Sequence, residues 1–242
     1  MCGNFFLIQS PDSLKFRFKV NIPGGINILP SYKISPGQKS PVITGERPHE
    51  IQLYRFGLTP SWAQKQMTLI NARSEGDNNP TDDPDFSGEM AIFNKPAFRK
   101  PIRSQRCLIP ADGYLEGTTV EKLNKPFVVY LKNKVRPFAF AGIWDAWKNP
   151  ATEELIHSFA ILTIFPNQLV SSLPHHRMPV ILNREDESRW LREGIPSEEI
   201  SAMMRPYPSG LMNAFPISPE IKNPRVNDVS ILQPIGPPIF PE

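Results

Sequence analysis

The chain has 242 residues, of which 40 % are hydrophobic and 21 % charged; this is close to the globular norm and excludes a disordered tail, a coiled coil, a collagen and a low-complexity polymer. Its 28 prolines, roughly 12 % and more than twice the usual share, exclude long helices and uninterrupted central strands. The net charge of +3 is compatible with a nucleic-acid partner and does not require one.

From the N-terminus, Met1-Cys2-Gly3-Asn4 lacks the basic start and long apolar run of a signal peptide, and nowhere does a stretch of ~18 apolar residues follow. A soluble, cytoplasmic protein with no membrane partner is expected. Short apolar or alternating runs predict strands at 5–8, 16–20 and 51–57. The polar stretch 76–88, broken by Pro80 and Pro84, reads as a surface loop, and a turn of helix is predicted near 97–102. Residues 106–116 read as a strand, a proline-bounded turn and a second strand, and further strands are predicted at 127–131, 138–144 and 159–164. A short helical turn at 167–172 precedes two helices. The first has Asn183 as N-cap, Glu185 and Asp186 in its first turn, Trp190 and Leu191 facing inward and Gly194 as its stop; the second spans 197–204, ending before Pro206. With no internal repeat and no shift in composition, residues 1–242 read as one strand-rich α+β domain.

Cys2 and Cys107 are the two cysteines, too few for a disulfide framework or a zinc site. Cys107 lies in an apolar run and reads as core. Cys2 follows the initiator methionine, which is removed when the second residue is small. An N-terminal cysteine so exposed carries an α-amine with a pKa of about 7.7–8.0 and a thiol of about 8.5 on one carbon frame. The amine can form a Schiff base with an aldehyde, and the thiol can then close onto the imine carbon as a five-membered thiazolidine. The plainer alternative is a chance residue at a frayed terminus.

Three internal clusters are candidates for chemistry. Asn71-Ala72-Arg73-Ser74-Glu75 sets amide, guanidinium and carboxylate on alternating positions, so an extended segment would aim all three into a polar cleft, or else form a solvated strand end with an internal Arg–Glu pair. Glu116, after two apolar residues, is either a carboxyl of raised pKa suited to proton transfer or an ordinary surface glutamate. His175-His176-Arg177 stands at an element junction. Adjacent side chains diverge and no third ligand is suitably spaced, so a metal is not expected, whereas proton transfer needs one histidine.

These clusters, with Met1-Cys2-Gly3, Ser35-Pro36-Gly37-Gln38, Gly57-Leu58-Thr59-Pro60-Ser61-Trp62, Arg106-Cys107-Leu108-Ile109-Pro110 and the continuation to Met178-Pro179, resemble in order and spacing the SOS-response-associated peptidase family of abasic-site processing proteins. The resemblance spans nearly the whole chain. It implies an irregular, barrel-like β core with short flanking helices, and a partner that is single-stranded DNA containing abasic sites. By similarity Cys2, freed of Met1, forms the crosslink, Asn71 holds the adduct, Arg73 binds the phosphate beside the lesion, and Glu116 and His175 move protons. Trp62 is either a base-stacking residue or a core tryptophan, and Arg177, Arg99 and Arg103 are further candidates for the DNA strand. No cofactor and no metal are implied, and a monomer is expected.

The chain departs from the family's common pattern at Asn4, where arginine is usual, at Gly117, where tryptophan is usual, and at His176, where aspartate is usual. None of the three is a reacting group, so affinity for DNA is more exposed to these changes than the chemistry. Two other functions use the same residues: a cysteine peptidase with Cys2 as nucleophile and His175 as base, which could act on its own N-terminus, and a non-catalytic single-strand binder using Trp62 and the arginines.

Overall fold

The structure is a computed structural model that describes residues 3–240. Its first half contains β1 (Asn4–Leu7), α1 (Pro11–Phe18), β2 (Ser31–Ile34), β3 (Lys39–Thr44), β4 (Arg47–Phe56), β5 (Asn71–Arg73), α2 (Pro101–Ser104), β6 (Arg106–Ala111) and β7 (Gly113–Thr118). There follow β8 (Lys122–Leu131), β9 (Phe138–Lys148), β10 (Leu155–Ile164), α3 (Gln168–Ser172), β11 (Met178–Pro179), β12 (Ile181–Leu182), α4 (Arg184–Leu191), α5 (Ser197–Met203) and β13 (Met212–Pro216). No helix among these residues is long and apolar enough to cross a membrane.

The strands form two sheets. One is five-stranded in the order β13-β8-β7-β1-β2; the other has eight strands on the path β11-β10-β4-β3-β6-β9-β12, with β5 beside β10. Because β10 also pairs with β9, the run β10-β4-β3-β6-β9 closes on itself as a small barrel. Closure leaves each of its strands with two neighbours and no exposed edge. The strand-rich barrel with short flanking helices is therefore the fold that the sequence implied.

Burial on both faces explains why β9 reads as a nearly continuous apolar run: Phe138 to Asp145 are all buried. Phe140 packs edge-on against Phe5, Tyr114 and Phe138 at 5.8, 6.1 and 5.2 Å, which joins the barrel to β1 and β7 of the other sheet. Opposite Cys107 in the β6–β9 register stands Gly142, where a Cβ would lie 2.9 Å from the Cys107 sulfur and 2.5 Å from the Ile109 methyl. Cys107 is thus core, and burial pushes its thiol far up, out of nucleophilic range.

One predicted strand is a helix. Residues 16–20 alternate Phe16, Phe18, Val20, but Ser10 caps α1 by accepting from the Ser13 amide and Pro11 occupies the first turn. Leu14 is the residue α1 buries, whereas Phe16 is 89 % exposed. Near 97–102 the regular helix starts later than expected, at Pro101. α4 and α5 keep their expected places, with Trp190 and Leu191 buried as read; α4 stops at Leu191, short of Gly194.

Candidate reactive cleft

A cleft of about 370 Å³ opens at one end of the five-stranded sheet, between the start of β1, the β7–β8 hairpin and the segment before β11. Gly3, Asn4, Glu116, Gly117, His175 and His176 line it. Cys2, bonded to Gly3, lies outside the described residues. Asn4 does not reach outward as an arginine would; its side-chain oxygen accepts from the Ser35 hydroxyl at 2.7 Å, tying β1 to β2. Gly117 is also explained. A Cβ there would run into the Lys122 carbonyl where the register of β7 on β8 shifts, so this hairpin has no room for the family's tryptophan.

Glu116 is buried, and burial pushes its carboxyl up to about 7. Its Oε1 lies 3.3 Å from Nε2 of His175, which is equally buried. The other ring nitrogen, Nδ1, is 2.8 Å from the Arg177 carbonyl. A carbonyl only accepts, so Nδ1 carries a proton and donates it. Burial pulls His175 down to about 4, so its ring is neutral near pH 7 and Nε2 presents a lone pair to Glu116. A proton shared between them therefore belongs to the carboxyl, which gains and loses it near neutral pH, while the imidazole beside it stays a neutral base.

His176 lies in the same cleft, which corrects the expectation that adjacent histidines must diverge. The two rings stack with centroids 5.1 Å apart and planes at 21°. The Thr119 hydroxyl donates to the Pro174 carbonyl at 2.9 Å, so its oxygen accepts from Nδ1 of His176 at 3.1 Å. His176 is nearly half exposed, with Asp82 3.9 Å away on its other side.

Behind the histidines, Arg177 points into the protein. Its guanidinium spans both oxygens of the fully buried Glu75 at 2.9 and 2.8 Å and reaches Asp82 at 2.9 Å. This corrects its expected place on the DNA strand: with 4 % side-chain exposure, the guanidinium gives its Nη1 and Nη2 hydrogens to Glu75, Asp82 and the Thr163 hydroxyl and faces the interior instead of a phosphate. Glu75 also departs from the expected alternation. Asn71 and Arg73 are half-buried on either side of buried Ala72 in β5, but the chain turns helical at Glu75 and carries its carboxylate inward. Arg73 pairs with Asp82 at 2.8 Å and with the Asn79 carbonyl, and it is one-third exposed. Burial pushes Asp82 up, but hydrogen bonds from Arg73 and Arg177 outweigh it and hold the carboxyl below its usual value. Asp82 binds Arg73 and Arg177 and faces His176, yet it lies in the stretch read as a plain surface loop, where no local pattern marks it.

The remaining candidates form a separate patch. Trp62 is 57 % exposed, not core, and its indole N–H donates to the Pro96 carbonyl at 3.4 Å. Arg103 donates to the Phe93 and Arg99 carbonyls at 2.7 Å each and lies over the Phe93 ring, while Arg99 is exposed. Among the described residues no group of three His, Cys, Asp or Glu could hold a metal ion.

Comparison with known proteins matches residues 1–224 to the family described as SOS response associated peptidase. The abasic site processing protein YoqW of Bacillus subtilis (strain 168) is 31 % identical over 96 % of this chain and 99 % of its own length. The abasic site processing protein HMCES of Pongo abelii is 26 % identical over 85 % of this chain and 65 % of its own. A crystal structure of a protein from Bacteroides thetaiotaomicron superposes with a TM-score of 0.81 at 26 % identity, covering 96 % of this chain and 99 % of that one.

Proposed function

The chain belongs to the SOS response associated peptidase family, and we propose that it processes abasic sites by capturing them covalently in single-stranded DNA through Cys2 once Met1 is removed. The observation that carries this reading is the 3.3 Å contact of buried Glu116 with Nε2 of buried His175, the carboxyl pushed up to about 7 and the imidazole down to about 4, in a cleft that Gly3, the neighbour of Cys2, also lines.

Each step draws on a group of that cleft. Opening of the abasic sugar breaks the bond between C1 and the ring oxygen: the Glu116 carboxyl gives that oxygen a proton, while the C1 hydroxyl loses its own to water and becomes the aldehyde. The Cys2 α-amine adds to the aldehyde carbon, and the ammonium proton formed passes to a base, the lone pair on Nε2 of His175 or the carboxylate just produced. Loss of water gives the imine. The Cys2 sulfur then adds to the imine carbon while the nitrogen takes the thiol proton, which closes a thiazolidine with no oxidant or metal. Asn71 is assigned to hold the adduct and Arg73, the partly exposed cation beside the cleft, to the adjacent phosphate. Trp62, Arg99 and Arg103 are assigned to the flanking strand.

Incubation with abasic and intact single strands, followed by a denaturing gel, tests the reading. Wild type should give a heat-stable covalent band with abasic DNA alone. Cys2→Ala and Cys2→Ser both keep the amine and lose the thiol, so any adduct they form should survive heating only after borohydride reduction. A heat-stable covalent band from Cys2→Ala without borohydride overturns the proposal. So does hydrolysis of unrelated peptides without capture, which identifies a cysteine peptidase, or salt-sensitive reversible binding alone, which identifies a plain single-strand binder.

A further inference from the structure

A second concave surface lies at the opposite end of the five-stranded sheet. The reactive cleft takes Asn4 from β1 and Leu123 from β8, whereas a larger cavity of about 680 Å³ takes Phe6 of β1, Ile8 just past its end, and Tyr130 and Leu131 on β8. From Leu123 to Tyr130 the strand rises about 23 Å at ~3.3 Å per residue. The cavity holds Tyr130 and Phe215 with ring centroids 5.6 Å apart, and Lys132, Lys134 and Arg136 are among its lining. Arg136 also lines a neighbouring cleft of equal volume, in which it faces Lys19, Arg184 and the exposed ring of Phe16.

Charge on this surface is one-sided. Lys15 and Arg17 of the second cleft are neutralised, by Asp12 at 2.7 Å and by Glu187 at 2.6 Å. Lys19, Lys132, Lys134, Arg136 and Arg184 have no ion pair among the described residues. The nearby Asp112 accepts from the Ile8 amide at 2.7 Å and from the Gln9 side chain at 3.0 Å, and burial pushes its carboxyl up, toward the neutral form. Three of these cations thus border the aromatic recess, and Lys19 and Arg184, with the solvated Phe16, border the cleft that shares Arg136 with it.

We propose that this surface is a second binding track for single-stranded nucleic acid, with the cations on the phosphates and Phe16, Tyr130 and Phe215 on the bases. Unpaired strands are held by a positively charged groove with interleaved aromatic faces, since every base has a face to stack. An anionic membrane would also satisfy the charges. Its surface reaches convex apolar residues, however, and here two of the three rings lie inside a cavity that a flat unit on a flexible chain can enter. The proposal rests on the reading of the chain as a single-strand DNA protein, but its test uses intact strands and no crosslink, so the two can fail separately.

Binding of oligothymidylates of about 4 and about 16 nucleotides, the range of single-strand site sizes, is measured by fluorescence anisotropy across a salt series. Lys19→Asn, which keeps a side chain tolerant of the left-handed backbone at φ 55, is combined with Arg184→Gln. The pair should weaken the long strand at least about tenfold and lower its salt slope by about 1.4, or ~0.7 per phosphate contact. Phe16→Ala should weaken it about fivefold or more at unchanged slope. All three side chains are exposed, and unaltered thermal melting confirms the fold. Capture of the short abasic strand should proceed at the wild-type rate. Wild-type affinity and slope for the long strand in every variant would overturn the proposal, as would wild-type variants that lose binding to phosphatidylserine vesicles instead.

Discussion

Two acid–base pairings sit two residues apart in the chain and are built to opposite ends. His175 meets Glu116 through one 3.3 Å contact at a cleft wall, with the acid pushed up to about 7 and the base down to about 4. Arg177 meets Glu75 through two contacts of 2.8 and 2.9 Å, with Asp82 as a third partner. Both pairs are buried, so burial alone does not decide which becomes reactive. The imidazole can be neutral and the guanidinium cannot, so in the first pair desolvation leaves a movable proton and in the second it leaves a fixed ion pair. The Arg177 pair also anchors the segment that aims His175, because the Arg177 carbonyl is what Nδ1 donates to.

The largest expected effect comes from removing the movable proton. Glu116→Gln should slow capture of abasic DNA by about 10²–10⁴-fold, the usual contribution of general acid–base catalysis, in single-turnover gels. The same substitution should stabilise the protein at pH 8 and not at pH 4. The folded state holds the Glu116 proton more tightly than the unfolded state does, so its contribution is full below about 4.5 and is lost as pH rises toward about 7. Urea melts at the two pH values check the sign.

Arg177→Met should cost about 3–5 kcal/mol of stability by leaving the Glu75 carboxylate buried and unpaired. Adding Glu75→Gln should restore much of it. A melt in which Arg177→Met is neutral, with weakened DNA binding, would return Arg177 to the nucleic-acid surface.

His175→Ala should slow crosslinking, or its reversal, by at least about tenfold with an altered pH profile, while His176→Ala should change affinity and its salt dependence alone. Since both rings share the cleft, rates decide between them; a larger rate defect in His176→Ala would reverse the assignment. The smallest expected effect is that of Arg73→Ala, a loss of about 0.7 in the salt slope for single strands with weaker capture at moderate salt. Equal loss at every salt concentration would instead assign Arg73 to holding Asp82.

Four of the five barrel strands were legible because closure buries both faces and writes long apolar runs, as in β9 and β10; β3, which opens on Lys39, Ser40 and Pro41, was not. Short β2 and β13 lack that signature, and α1 was obscured because three apolar residues at every second position imitate a strand while its real markers, Ser10 and Pro11, stand outside the run. At the cleft, Glu116 and the two histidines were legible as residue types in apolar surroundings. Arg177 was misplaced because an arginine beside two histidines reads as solvent-facing until its carboxylates are known, and one of those, Asp82, comes from a loop about 95 positions away. Pairings at such separation leave no local trace.

Ring closure has a consequence for the order in which the molecule is made. β3 and β4 leave the ribosome early, yet the barrel cannot close until β9 and β10 have been synthesised, and such non-local pairing is slow relative to local hairpins. Of the cleft, Gly3 and Asn4 are translated first, Glu116 near mid-chain and His175 after the last barrel strand. A nascent chain therefore carries Gly3 and Asn4 long before Glu116 and His175 stand beside them, and the cleft is assembled as a late event of folding.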